Sequence, residues 1–339
     1  MYYLIHTKRG RTIDENLWKN FVMTVPVGNF FQHPGFTDFF SGSDKNEAIT
    51  VCALSDLNQI QGIISGVIYS EYPGILKKLA SRFIIAGGPL ILSTEKHITE
   101  DLLIKLDSVV SRKAVFTQFR NLFPLDGYKD VFLKHGYNFE EHLNYLVDLT
   151  KDEETLWNEI SSKRRNEIRK AEKAGTHIHI ITNEAHLIDS YNILCEVYSR
   201  TRLPLLEFAV FKKAFDRSTN NEGLKAFAAF NSGNLIGTMY TLCYKGIIYD
   251  WYAGSNQKYY NQYPNDLIPW AVFLWGKKNG FSKFDFGGAG KPGINYGVRD
   301  YKKQFGGELV SFGRFEKINK PFVMKIARTG FKFKRKLNL

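Results

Sequence analysis

The sequence predicts an α+β protein built from two domains. At 339 residues the chain is longer than one hydrophobic core usually supports. Helical patterns alternate with short β-branched strands, and the order strand, helix, strands, helix, strand occurs in both halves. The pattern restarts near residue 150, where a polar helix start follows a strand. We therefore expect an N-terminal domain at 1–149, a C-terminal domain at 150–316 and a basic, helical C-terminal tail at 317–339.

In the N-terminal domain, β-branched runs and turn residues define the elements. Gly87-Gly88-Pro89 interrupts one of the runs and predicts a bend there. An amphipathic helix is expected at 99–112. The predicted strands are 48–54, 60–69, 83–92, 114–119 and 142–149.

The C-terminal domain is predicted to open with helices and to continue with a meander of three strands. Gly175 and Pro204 are expected to end the first two long helices, and Asn265 is expected to cap the third. The predicted helices are 161–174, 184–201 and 265–279, and the predicted strands are 224–230, 235–244, 247–254 and 281–286.

Composition indicates an anionic partner and a reducing compartment. The net charge is +12, which favours nucleic acid, a phosphorylated substrate or an acidic membrane surface, unless the basic surface only keeps the protein in solution. Cys52, Cys195 and Cys243 have no CxxC spacing, which argues against disulfides and zinc. Neither a signal peptide nor an apolar run of membrane-spanning length is visible. We expect a cytoplasmic location, with membrane contact only at the surface.

The segment 281–307 carries the clearest functional signal. An apolar strand that contains Asp285 leads into a glycine loop, and the cations Arg299, Lys302 and Lys303 follow it. Such a loop after a strand is where α/β enzymes place charge beside a substrate. The spacing Gly-x-Gly-x-x-Gly occurs here, but Pro292 removes a backbone donor and no helix start is evident. The loop is therefore not expected to bind a dinucleotide.

The helix at 161–174 carries a second signal. Ile160, Ile168 and Ala171 lie on one face, and Arg164 interrupts that face. A cation there needs a partner or a nearby cleft, whereas Arg165 is expected to face solvent. The alternative is a solvated basic helix whose charges have only local partners.

No covalent nucleophile and no metal site are visible. The eight histidines lack metal-binding spacing, and the Gly-x-Ser-x-Gly elbow is absent. An enzyme with this sequence would therefore act by positioning its substrates and by directing cations at developing negative charge. Lys302, Arg299 and Arg164 are the best candidates for that role.

Several stretches together carry a family resemblance. They are HLNYLVDLT with DEETLWNEISSKRRNEIRKAEKAG, then YDWYAGSNQKYYNQYPNDLIPWAVFLWGKKNG, then FDFGGAG with YGVRDYKKQFGG, and, near the N-terminus, NFFQHPGF and GGPLIL. These stretches resemble the Fem (FemABX) family of peptidyltransferases over nearly the whole chain. Members of that family are bacterial enzymes of peptidoglycan and cell-wall biosynthesis, which add amino acids from aminoacyl-tRNA to precursors.

The resemblance implies two tandem domains with the acetyltransferase-like (GNAT) fold, each a mixed sheet flanked by helices. It also implies that Lys302, in the dipeptide Tyr301-Lys302, lies near the reaction centre and stabilises the oxyanion as an amine attacks the acyl ester. We assign substrate binding to Arg164, Arg165, Tyr252, Asp285, Tyr296 and Arg299. No cofactor and no metal are expected, because the acyl donor, aminoacyl-tRNA or acyl-CoA, is a co-substrate. The expected acceptor is a cell-envelope precursor.

One departure from the family pattern concerns the acceptor. Family members that bind the nucleotide-linked precursor have an aromatic residue and a lysine after the N-terminal glutamine, but here Phe36 is followed by Thr-Asp-Phe-Phe. The missing lysine argues against the same phosphate contacts. An envelope glycan or a lipid-linked amine is the alternative acceptor.

Two other functions stay open from the sequence. One is an N-acyltransferase that uses acyl-CoA or acyl carrier protein, although the Arg/Gln-x-x-Gly-x-Gly/Ala turn that grips the pyrophosphate of CoA is absent. The other is a non-catalytic basic protein that binds nucleic acid or a membrane surface, with steeply salt-dependent affinity.

Two local questions also stay open. Asp285 is either catalytic or the buried partner of Arg299 or Lys302, and we favour the pairing. The tail, with Phe322 and Ile326 among basic residues, either lies on an anionic inner leaflet or packs against the first domain.

Overall fold

The computed structural model describes residues 1–7, 10, 13–70, 80–92, 96–219 and 221–325. They form two compact units: residues 1–141 with the segment from Phe312 onward, and residues 142–311. The sequence predicted a division after residue 149 and a C-terminal domain that continues to residue 316. The division differs because strand Leu143–Asp148 pairs within the second unit, while strand Arg314–Ile318 returns to pair within the first.

The first unit contains a mixed eight-stranded sheet in the order β1-β2-β3-β4-β6-β15-β7, with β5 paired to β3. Strands are numbered along the whole chain, and β4 and β6 form the parallel pair. The strands are β1 (Tyr2–Thr7), β2 (Glu47–Leu54), β3 (Ile60–Tyr69), β4 (Arg82–Ala86), β5 (Leu90–Ile91), β6 (Phe116–Arg120), β7 (Asn138–Glu140) and β15 (Arg314–Ile318). The bend predicted at Gly87-Gly88-Pro89 separates β4 from β5.

Helices cover this sheet and close its apolar core. The long helix α3 packs on β2 and β3 and buries Leu102, Leu103 and Leu106. The helices are α1 (Glu15–Thr24), α2 (Pro34–Asp38), α3 (Lys96–Val110) and α4 (Lys129–Lys134), with 3-10 turns at Phe30–Gln32 and Asp126–Tyr128.

Gln32, in the stretch NFFQHPGF, joins two strands of the first unit. Its Nε2 donates to Ser65 O at 2.8 Å and to Ala86 O at 2.7 Å, and Ser65 N donates to its Oε1 at 2.8 Å. The pairing of β3 with β4 runs only from Tyr69 to Val67. The buried amide therefore supplies hydrogen bonds to backbone groups just beyond that pairing, which a buried backbone requires.

The second unit contains a mixed seven-stranded sheet in the order β14-β8-β13-β12-β11-β10-β9. Its strands are β8 (Leu143–Asp148), β9 (His177–Ile180), β10 (Gly223–Asn231), β11 (Asn234–Tyr244), β12 (Ile247–Ser255), β13 (Lys283–Gly288) and β14 (Glu308–Ser311). Its helices are α5 (Glu153–Glu159), α6 (Ser162–Lys173), α7 (Glu184–Thr201), α8 (Phe208–Arg217), α9 (Pro264–Lys278) and α10 (Gly297–Lys303), with a 3-10 turn at Gln257–Gln262.

Most predicted elements of the second unit are present, with two differences around the candidate site. Asn265 does not cap α9; the helix begins at Pro264, and Tyr263 occupies the N-cap with a left-handed backbone (φ 52°). Helix α10 follows the glycine loop, where the sequence showed no helix start. Glycine at Gly297 and the lack of apolar periodicity hid this short helix.

Only part of the predicted tail is described. Lys317 and Ile318 end β15, and residues 321–325 are helical. Residues 326–339, on which the predicted helix mainly falls, lie outside the described residues. Among the residues that the structure describes, no helix is long and apolar enough to cross a membrane.

Candidate active site

The two parallel strands of the second unit separate halfway along their length. β12 pairs with β13 only through Ile247, Ile248 and Tyr249, and the last pair joins Tyr249 to Asp285. The register with β11 then shifts, so that Trp251 is an extra residue in β12. Such a bulge bends a strand and ends its regular pairing. Beyond it, each strand continues without the other, and the carboxyl ends of parallel strands are where α/β folds bind ligands.

Lys302 lies at this separation. Helix α10 carries it, and its side chain reaches β13, where Nζ donates to the carbonyl oxygens of Phe286 and of Gly288, the latter at 2.9 Å. The residue is 8% exposed. A lysine ammonium has three donors, and the described residues supply acceptors for two of them. Among the described residues, no acceptor contacts the third N–H.

The positive charge of Lys302 acts on two carboxyl groups, those of Asp285 and Asp250. Asp285 is buried, accepts a hydrogen bond from Gly287 N at 2.7 Å, and is also hydrogen-bonded by the side chain of Asn144. Burial raises the pKa of Asp285 to about 6, although Gly287 N–H and Lys302 oppose the rise. Burial likewise raises the pKa of Asp250 to about 6. The pKa of Lys302 is lowered by burial, against the opposing effect of both carboxyls.

Arg299 is not the predicted partner of Asp285, because its guanidinium donates to the backbone carbonyls of Lys291, at 2.8 Å, and Ile294. The positive charge of Lys302 acts on the Asp285 carboxyl, which favours Lys302 as the partner. Asp250 was missed by the sequence reading. A single acid inside the apolar run Ile247–Tyr252 was the signal that could have found it, because burying a carboxylate is costly unless it has a partner.

Replacing Asp285 by asparagine tests the raised pKa. The carboxyl titrates at about 6 in the folded chain and at 3.8 when unperturbed, so its stabilising contribution is complete below 3.8 and is lost as the pH rises through 6. Between about pH 4.5 and about pH 7.5, the free energy of unfolding of the native protein should fall relative to Asp285→Asn by about 2 kcal/mol. Urea unfolding at both pH values measures this difference. A flat Asp285→Asn difference would contradict the burial argument.

Arg164 belongs to a second ionic cluster. Its guanidinium forms ion pairs with Asp266 of α9 and, at 2.8 Å, with Glu167 of its own helix. Burial raises the pKa of Asp266 to about 6, although Arg164 opposes the rise. The cation that interrupts the apolar face of α6 therefore has a partner within the fold, and Ile160, Ile168 and Ala171 are buried as predicted.

Tyr301 connects this cluster to α10. The Arg164 guanidinium lies 4.9 Å from the centre of the Tyr301 ring, and Tyr301 OH donates to Asn265 O at 2.6 Å. Because Lys302 is the next residue, contacts that fix Tyr301 against α6 and α9 also fix the start of the lysine side chain. Arg164 therefore contacts the helix that carries Lys302.

The other predicted binding residues lie elsewhere in the second unit. Arg165 donates to Asn158 Oδ1 at 3.0 Å. Tyr252 lies on the part of β12 beyond the bulge, with ring centres 5.4 Å from Tyr198 and 5.1 Å from Phe211. Tyr296 precedes α10 and is exposed. The structure places Lys302 near Asp285, and Arg164 contacts Tyr301, the residue before Lys302. Contacts of all these residues with a substrate stay predictions.

The described residues offer no metal site. Among them, no three or more His, Cys, Asp or Glu side chains are grouped so that they could hold a metal ion.

Comparisons with known proteins agree with this architecture. Residues 161–303, from α6 to α10, match the family model described as an acetyltransferase (GNAT) domain. No curated protein sequence matches the chain. Among solved structures, FemX is 14% identical with a TM-score of 0.71, over 96% of this chain and 100% of that one.

Two further structures are similar over most of their length. The C-terminal domain (DUF2156) of a putative lysylphosphatidylglycerol synthetase from Agrobacterium fabrum is 11% identical with a TM-score of 0.57, over 94% of this chain and 96% of that one. A tandem GNAT protein from the clavulanic acid biosynthesis pathway is 8% identical with a TM-score of 0.56, over 94% and 99%. The chain therefore has a tandem GNAT-like fold similar to that of FemX, as the sequence predicted, and these findings support an acyltransferase.

Proposed function

We propose that this protein transfers an aminoacyl group from an activated ester donor to an amine of a cell-envelope precursor or lipid. The observation that carries the proposal is the buried Lys302 ammonium, held at the separation of β12 and β13 with one N–H donor to spare. A fixed cation with an unused donor, partly shielded from water, suits a developing oxyanion.

The reaction we propose is direct transfer. The amine nitrogen of the acceptor attacks the carbonyl carbon of the acyl ester, and the carbonyl oxygen, as it gains negative charge, accepts the third N–H of Lys302. The C–O bond of the ester then breaks, and the new amide bond remains. The amine loses a proton as it attacks, and Asp250, the partly buried carboxyl beside Lys302, is the group we assign to accept it. Asp250 then gives this proton to the leaving ester oxygen, which departs as a hydroxyl group.

The similar structures guide the choice of donor and acceptor. One is the C-terminal domain of a putative lysylphosphatidylglycerol synthetase, whose name describes an aminoacylated lipid. FemX shares the fold, and the sequence motifs resemble the Fem family. We therefore propose charged tRNA as the donor, a peptidoglycan precursor or a lipid that carries an amine as the acceptor, and a reaction on the cytoplasmic side of a bacterial membrane.

A label-transfer assay tests this function. The purified protein is incubated with tRNA carrying radiolabelled amino acids, together with either a nucleotide-linked peptidoglycan precursor or vesicles of phosphatidylethanolamine, whose headgroup carries an amine. We expect label in one acceptor, and none when the donor tRNA is uncharged or deacylated. Complete absence of transfer to both acceptors, from a full set of aminoacyl-tRNAs, would overturn the proposal.

A second candidate is an N-acyltransferase that uses acyl-CoA, because the matching family model is that of an acetyltransferase domain. Incubating the protein with the same acceptors and radiolabelled acetyl-CoA, in place of charged tRNA, distinguishes the two functions. Transfer from acetyl-CoA but not from charged tRNA would assign this second function.

A further inference from the structure

The glycine loop that leads into α10 exposes large apolar side chains. Every residue from 291 to 298 is exposed, and we call this segment the exposed loop. Within it Ile294 is 56%, Tyr296 41% and Val298 42% exposed. Isolated exposed apolar residues are common on protein surfaces, but three within five residues form a patch that needs an explanation.

The exposed loop is held in place at both ends. At its start, Ala289 N donates to Leu143 O, and Leu143 N donates to Gly290 O at 2.8 Å. At its end, the Arg299 guanidinium donates to the carbonyls of Lys291 and Ile294. Gly290 has φ +78°, and a Cβ there would lie 2.9 Å from the Tyr296 ring, so this backbone requires glycine. The apolar side chains therefore project from a fixed support.

Positive charge surrounds the apolar residues. Lys291 lies at the start of the exposed loop, and Arg299 and the exposed Lys303 follow it. Asp300 is the one acidic residue in the sequence from 289 to 303. Apolar side chains flanked by lysine and arginine are the pattern of segments that lie in the interface of an anionic bilayer, where the cations meet the headgroups and the apolar groups enter the acyl boundary.

We propose that the exposed loop docks on an anionic lipid bilayer. Ile294 and Val298 enter the acyl boundary, Tyr296 lies at the headgroup level, and Lys291 and Lys303 meet the lipid phosphates. Because α10 continues directly from this loop to Lys302, docking would present the candidate active site at the lipid surface. This surface differs from the C-terminal tail that the sequence indicated. The proposal does not depend on acyl transfer, and its test is independent of it.

Vesicle co-sedimentation tests the proposal. The full-length protein is mixed with phosphatidylcholine vesicles that contain or lack phosphatidylglycerol. We expect binding only to the anionic vesicles, with weaker binding at high salt. The double variant Ile294→Ser with Val298→Ser should bind at least about tenfold more weakly, because two apolar side chains no longer enter the lipid. Leu57→Ser, which removes a side chain that is 80% exposed in the first unit, is the matched control and should bind like the native protein.

Three outcomes would overturn the docking proposal. One is a native protein that does not bind anionic vesicles, and another is a double variant that binds them as well as the native protein does. The third is loss of self-association in the double variant, measured by sedimentation velocity, which would assign the loop to a second copy of the chain. A midpoint temperature of thermal unfolding equal to that of the native protein shows that the double variant is folded. Label transfer to a water-dissolved acceptor is expected to persist, so failure of docking and failure of the proposed function are distinguishable.

Discussion

Replacing Lys302 by alanine is expected to lower the rate of acyl transfer by about 10²- to 10³-fold, the usual effect of removing one oxyanion donor. The geometry gives the reason: the ammonium is fixed by the carbonyls of Phe286 and Gly288, so its remaining N–H needs no rearrangement to meet the acyl oxygen. Initial rates of label transfer at saturating donor measure the effect. Binding of the donor should change much less than the rate, because the contact forms mainly in the transition state.

Two further variants separate chemistry from folding. Lys303→Ala removes the neighbouring, exposed ammonium and should transfer to a water-dissolved acceptor at the native rate. Lys302→Arg keeps the positive charge near Asp250 and Asp285, but its planar guanidinium does not reproduce the geometry of an ammonium, so it should fold and still be slow. Native activity in a folded Lys302→Ala protein would remove Lys302 from the mechanism.

Replacing Arg164 by methionine is expected to lower the free energy of unfolding by about 3 to 5 kcal/mol, the typical cost of removing one partner of a buried ion pair. The side chain of Asp266 is 7% exposed and that of Arg164 14%, so Asp266 would be left as a buried carboxylate without its cation. Urea unfolding at neutral pH measures the loss. Arg165→Met is the matched control on the same helix, and its effect should stay within about 0.5 kcal/mol.

The Arg164 result also distinguishes a positioning role from substrate binding. If Arg164 holds α10 through Asp266 and Tyr301, adding Asp266→Asn to Arg164→Met should restore part of the lost stability. It should also restore part of the transfer rate. If instead Arg164→Met is as stable as the native protein but transfers slowly, Arg164 contacts the substrate directly. That outcome would contradict the positioning role.

The sequence predicted most reliably those features that local periodicity determines. The helix over 184–201 has the predicted bounds, and the buried face of α6 follows from the spacing of Ile168 and Ala171. Ile160 is also buried, but it precedes α6 as the C-cap of α5. Helix α10 was missed because seven residues that begin with glycine carry too little periodicity. The domain division was misplaced because β15 returns to the first unit, and pairing across such a separation leaves no local pattern.

The candidate site was predictable in part, for similar reasons. Lys302 was singled out by its place after a strand and a glycine loop, together with the family resemblance. Asp285 was found because it is an acid in a short apolar strand. Asp250 was not, because its proximity to Lys302 depends on the bulge at Trp251, where β12 leaves β13. Arg299 is a cation like Lys302 and was predicted for the same role. The sequence could not show that the Arg299 guanidinium donates its hydrogen bonds to the backbone of the glycine loop.

The most direct test of the central claim is an acid-quenched single-turnover reaction with radiolabelled donor and excess protein, followed by separation of donor, acceptor and denatured protein. Direct transfer at Lys302 predicts that label moves from the donor to the acceptor without covalently labelled protein at any time. With Lys302→Ala the label should stay on the donor over the time that the native protein needs to complete the transfer. Label bound covalently to the denatured protein, or native transfer by Lys302→Ala, would contradict the account.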